Sequence, residues 1–112
     1  MSSLAQSREL SVQEQSAVSI FNQVLKEKNN RLAGMIDDKG KADDLQNICL
    51  RLDMGVAIKE LDQKVIERTS RMPDQNMADQ VLGYYAYAQV VAIKQLCPRH
   101  VTQLEASLKD HQ

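Results

Sequence analysis

The 112-residue sequence predicts an all-α domain. The expected architecture is a four-helix bundle-like domain, with a long central antiparallel hairpin made by the second and third helices and a short C-terminal helix. Three observations carry this. Only four glycines and two prolines interrupt the chain, and its β-branched residues are scattered rather than alternating. Apolar residues recur at spacings of three and four over long stretches, the period of a helix with one buried face. Pro73 and Pro98 fall where two of those stretches end, as suits a residue that disfavours helical geometry in the position before it.

The first helix begins at Ser11, which opens "SVQE", a capping box with Glu14 three residues on. Val18, Phe21, Leu25, Leu32 and Met35 then continue the helical spacing, so this helix is expected from about Val12 to Ile36. "DDKGKADD" supplies a turn around Gly40 and acidic residues for the next helix start. It lacks the ligand spacing and closing glutamate of a calcium-binding loop, and reads as a solvated turn.

The second helix is expected from about Ala42 to Arg71. Its stripe runs through Leu45, Ile48, Cys49 and Leu52, then shifts to Ile58, Leu61, Val65, Thr69 and Met72. The shift near Gly55 predicts a kink or a local twist there. After Pro73, Asp74 or Asn76 is placed to cap the third helix, about Gln75 to Leu96. That helix is apolar nearly all round, which marks a central helix or an interface. Pro98 can begin a fourth helix, on which Val101, Leu104, Leu108 and His111 keep the spacing. Residues 11–112 are thus expected to form one domain and residues 1–10 a flexible N-terminal tail.

The two cysteines are symmetric about Pro73: Cys49 lies 24 positions before it and Cys97 lies 24 after it. In a hairpin that turns at Pro73 both come level, about 36 Å from the turn. A Cys49–Cys97 disulfide is therefore the first reading, and it implies an oxidising compartment, the periplasm or the cell exterior. Two reduced, buried thiols are the second. A metal site would need Cys49, Cys97, His100 and His111, but no close cysteine pair anchors one. A nucleophilic Cys97 with His100 as base lacks any further support. Near the N-terminus, Ser3 and Ala5 stand where small residues precede a signal-cleavage site; a short polar tail is the other reading.

The function classes narrow in the same way. Net charge is −1, with acids and bases interspersed, so there is no basic stripe to neutralise phosphates and no nucleic-acid partner is expected. No apolar run approaches the length of a membrane span. No catalytic constellation, metal site or cofactor motif stands out. A helical enzyme would need convergent charges, for which Arg31, Arg51 and Lys59 are the candidates. In "GYYAY" the three tyrosines spread over about half the helix circumference. The strip Tyr84, Tyr87, Val91 and Lys94 is expected to have least cover and to bind a protein partner, another protein or a second copy.

The expected function is therefore a small secreted or periplasmic helical binding protein. The alternative is a cytoplasmic adaptor, chaperone or regulator that dimerises and keeps its thiols reduced. In general plan the chain resembles small disulfide-stapled helical proteins of bacterial periplasms, which include inhibitors and immunity proteins for secreted toxins. That likeness is architectural and rests on no motif.

Overall fold

A computed structural model describes residues 9–110. They form five α-helices: α1 (Val12–Glu27), α2 (Asp38–Asp53), α3 (Ile58–Ser70), α4 (Gln75–Gln95) and α5 (Val101–Asp110). Two short 3-10 turns, Arg31–Ala33 and Pro98–His100, complete the path. The expected all-helical class holds. The four-helix plan with one unbroken hairpin does not, because each of the first two expected helices ends early. The cleavage motif at Ser3 and Ala5, and His111, lie outside the described residues.

The capping box at the start of α1 forms as expected. Ser11 Oγ accepts from the Glu14 amide and Glu14 Oε1 accepts from the Ser11 amide, satisfying two donors that the helix itself cannot. Leu10, just before the cap, packs against the core. Ala17, Val18, Phe21 and Leu25 bury one face of α1.

The helix stops at Glu27 rather than at Ile36 because Asn29 takes the left-handed conformation, φ 53°, which asparagine tolerates better than most residues. Asn30 then turns the chain. Its Oδ1 accepts from the Leu32 amide, and its Nδ2 donates to the Gln80 carbonyl on α4. Gln80 answers by accepting from the Arg31 amide. Met35, counted with the helical stripe in the sequence, is 63% exposed.

Asp37 caps α2 through the Gly40 amide. Lys41 is buried on this helix, and its ammonium donates to the Ala33 carbonyl. Near Gly55 the chain does more than kink. α2 ends, Gly55 has φ 94°, and α3 starts in a new direction. The Val56 amide reaches the Arg51 carbonyl while the Gly55 amide reaches Leu52. This pattern closes a helix end when a glycine follows it.

Ala57 gives α3 no side-chain cap. The side chain of Gln103, on α5, accepts from the Ile58 amide instead. Asp74 caps α4 through Met77. α4 is the central helix, packed against α1, α2 and α3, with α5 lying across α3 and α4. That explains why its sequence is apolar in nearly every direction.

Gly55→Ala is expected to destabilise the domain by about 1–2 kcal/mol, because a Cβ disfavours positive φ. Nothing lies within 4 Å of the added carbon, so the cost comes from the backbone and not from a clash. Gly34→Ala is the control, since its site is equally open and its φ is −97°. Equal urea midpoints for the two variants would show that the left-handed turn is not what requires Gly55.

Candidate functional site

Cys49 near the end of α2 and Cys97 just after α4 meet at disulfide distance. Their sulfurs are 2.11 Å apart and their Cα atoms 5.9 Å apart, within the span a bridge allows. The pair meets although the hairpin is broken, because α2 still packs alongside α4 above the break. A polar clamp sits beside it. Asp53 at the end of α2 accepts from Arg99 Nε at 2.9 Å and faces His100 Nε2 at 2.7 Å. The bond from Arg99, and then that from His100, hold the Asp53 carboxyl down at about 2.

A carboxyl depressed in the folded state contributes stability above its unfolded value of about 3.9, and loses it as pH falls toward 2. Acid unfolding of wild type is therefore expected to steepen between about pH 4 and pH 2 relative to Asp53→Asn. Parallel stability curves for the two proteins across that range would show that the clamp contributes nothing.

The expected partner strip is taken apart by the fold. Tyr84 has no exposed surface and Val91 is 5% exposed, so neither can greet a partner. Tyr87 is half-buried and Lys94 is exposed. α1 and α2 pack on this side of α4, and the loop after α1 is tied to it through Asn30 and Gln80. The Tyr84 ring packs 5.0 Å from Phe21 and edge-on to Tyr85. Its hydroxyl donates to Asp44 on α2. Burial, and then the bond to Asp44, raise the Tyr84 phenol well above its ordinary value. Burial also raises Asp44, against the opposing effect of the Tyr84 hydroxyl.

The open side of α4 is the opposite one. Ala86 is exposed and Leu82 and Val90 are half-buried. Together with Val65 and Ile66 of α3 and Leu108 of α5 they line a groove of about 350 Å³. Ile66 is 54% and Leu108 51% exposed. The groove runs into a second, smaller cleft, for Val65, Tyr85 and Gln89 line both.

That cleft, about 120 Å³, lies between α2, α3 and α4. Ile48, Leu61 and Val65 supply its apolar lining; Arg51, Lys64 and Arg68 bring three cations, and Asp44 one carboxylate. None of the three cations makes an ion pair among the described residues. Burial raises the Tyr85 phenol, Asp44 adds to the rise, and the adjoining Arg68 guanidinium opposes it. The arrangement offers hydrogen-bond donors and positive charge above an apolar floor, which suits binding of an anionic group.

Arg51 was one of three convergent charges the sequence suggested. Arg31 and Lys59 are not in the cleft, and both are exposed. Lys64 and Arg68 could not be found from a straight second helix. On such a helix Arg51 and Arg68, 17 residues apart, stand about 25 Å from each other. The break at Gly55 folds α3 back so that both line one cleft. A glycine at the point where the apolar stripe slips was the available signal.

Among the described residues no group of three or more histidine, cysteine, aspartate or glutamate side chains is placed to hold a metal ion. Among them, too, no helix is long and apolar enough to cross a membrane. No protein-family model, curated protein or solved structure matches this chain.

Proposed function

We propose that this chain is a small, disulfide-stapled binding protein of an oxidising compartment, periplasmic or secreted, which acts by contact with another protein in the manner of an inhibitor or immunity protein. The observation that carries the binding role is the continuous face in which the apolar groove of Ile66, Ala86 and Leu108 opens into the basic cleft of Arg51, Lys64 and Arg68. Apolar surface gathered in one place and bordered by charge is the signature of a contact site. The Cys49–Cys97 geometry supports the compartment, since such bridges persist where thiols are oxidised.

The test compares wild type with Ile66→Glu as baits for proteins from the source cell. One protein is expected on wild type and not on the variant, with at least tenfold weaker binding of the purified partner to the variant. Equal retention on both baits sinks the groove as the contact site. The compartment is checked by trapping thiols in intact cells. Two alkylated cysteines would instead support the cytoplasmic regulator with reduced thiols.

A further inference from the structure

The cleft has a size, a charge and a position that together select its occupant. Its volume of about 120 Å³ is well below the roughly 300–1,000 Å³ of sites that enclose drug-sized ligands and cofactors. It has room for one side chain. Three cations face one carboxylate there, in a chain whose net charge is −1, so the positive charge is local and not a property of the whole surface. Asp44, the one carboxylate in the lining, accepts the Tyr84 hydroxyl on one of its oxygens, and the three cations outnumber it. Arg51 is half-buried and Lys64 and Arg68 are exposed, so the charge forms a rim. The lining below it, Ile48, Leu61 and Val65, is hydrocarbon. An acidic side chain laid across the mouth of the cleft matches this order of surfaces: its methylenes cover the hydrocarbon below and its carboxylate pairs with the cations at the rim.

We infer that the cleft is an anchor pocket for an aspartate or glutamate side chain of the partner protein, held by Arg51, Lys64 and Arg68 while neighbouring apolar residues of the same segment lie along Ile66, Ala86 and Leu108. This deepens the binding role proposed above and rests on it for the identity of the occupant as a protein segment. The continuity of the two depressions through Val65, Tyr85 and Gln89 is what lets one segment fill both. Carboxylate recognition by two guanidinium groups and an ammonium supplies specificity against the corresponding amide, because an amide leaves those charges unpaired.

Two probes test this on the full chain. In the first, N-acetylglutamate methylamide, its glutamine counterpart and inorganic phosphate are titrated into isotope-labelled protein and followed by NMR. Saturable shifts at the amides around Arg51, Lys64, Arg68 and Tyr85 are expected with the glutamate compound and not with the glutamine one. They should weaken at least fivefold in Lys64→Gln and in Arg68→Gln, both exposed positions where the fold should persist, as the helical circular dichroism will check. In the second, peptides are selected from a random display library. They are expected to share one acidic position flanked by apolar ones, and to lose at least tenfold in affinity with Arg68→Gln and with Ile66→Glu. Changing the peptide's acid to its amide should cost less in Arg68→Gln than in wild type if the two groups meet.

Tighter binding of phosphate than of the glutamate compound overturns the assignment to an acidic side chain. So does equal binding of the glutamate and glutamine compounds. Peptides that need Ile66 but have no fixed acid leave the groove as a docking site and overturn the pocket. A glutamate compound seated in the cleft, with peptides indifferent to Ile66→Glu, upholds the pocket and overturns the groove.

Discussion

Reducing the Cys49–Cys97 pair, or replacing both cysteines with alanine, is expected to destabilise the folded protein by about 4 kcal/mol. The figure follows from the sequence separation of 48 residues, because a bridge removes conformations from the unfolded chain in proportion to the logarithm of the loop it closes. Domains of this size have total stabilities of roughly 5–15 kcal/mol, so the loss is a large fraction of the whole. In a thermal melt it corresponds to a fall in midpoint on the order of 15–20 °C. The two cysteines are buried, so serine in place of alanine should cost more, by adding a hydroxyl to an apolar site. A reduced protein that melts within a few degrees of the oxidised one would show that the bridge constrains little.

Phe21→Ala should have an effect of similar size, about 3–5 kcal/mol. Phe21 has no exposed surface, and its ring meets Tyr84 at the centre of the core where α1 packs on α4. Removing the ring leaves a cavity whose neighbours, Tyr84 above all, are fixed by other contacts and cannot collapse into it. Tyr84→Phe should cost less, about 1–3 kcal/mol, since the volume is kept and only the donor to Asp44 is lost. Urea unfolding measures both, with the slope expected to be unchanged. A Phe21→Ala loss below about 1 kcal/mol, or a reversal of the order of the two variants, would contradict this account of the core.

Much of this fold could be read from local chemistry. The capping box at Ser11, the cap at Asp74 and the stop at Pro73 are short-range signals, and each acts where it stands in the sequence. The lack of a polar face on α4 pointed to a central helix or an interface, and its packing against α1, α2 and α3 is that of a central one. What misled was periodicity that outlived its helix. Leu32 and Met35 continue the spacing of α1, but the Asn29 and Asn30 pair turns the chain before they are reached. The slip near Gly55 was visible, yet a slipped stripe does not by itself separate a kink from a break.

The candidate site was less legible for a related reason. The aromatic cluster drew attention to Tyr84, Tyr87, Val91 and Lys94, and helix geometry places them together. Which side of a central helix stays open depends on where its neighbours dock. Here α1 and α2 cover the side that carries Tyr84, through Phe21 and Asp44, 63 and 40 residues away in the chain. Arg51, Lys64 and Arg68 look like ordinary solvent-facing charges along the chain. They share a cleft only after the chain reverses between α2 and α3.

The absence of a local cap on α3 has a consequence for the order of assembly. Ile58 donates to Gln103, 45 residues later in the chain, so the first turn of α3 is completed by a residue that is translated long after the helix itself. Without α5, α1, α2 and α4 can pack together while α3 remains frayed at its start. The cleft, one wall of which is α3, then acquires its final form only when α5 docks. A chain truncated before Gln103 should therefore keep the central helix packed while the Ile58 end of α3 exchanges its amide protons faster, as hydrogen exchange will show.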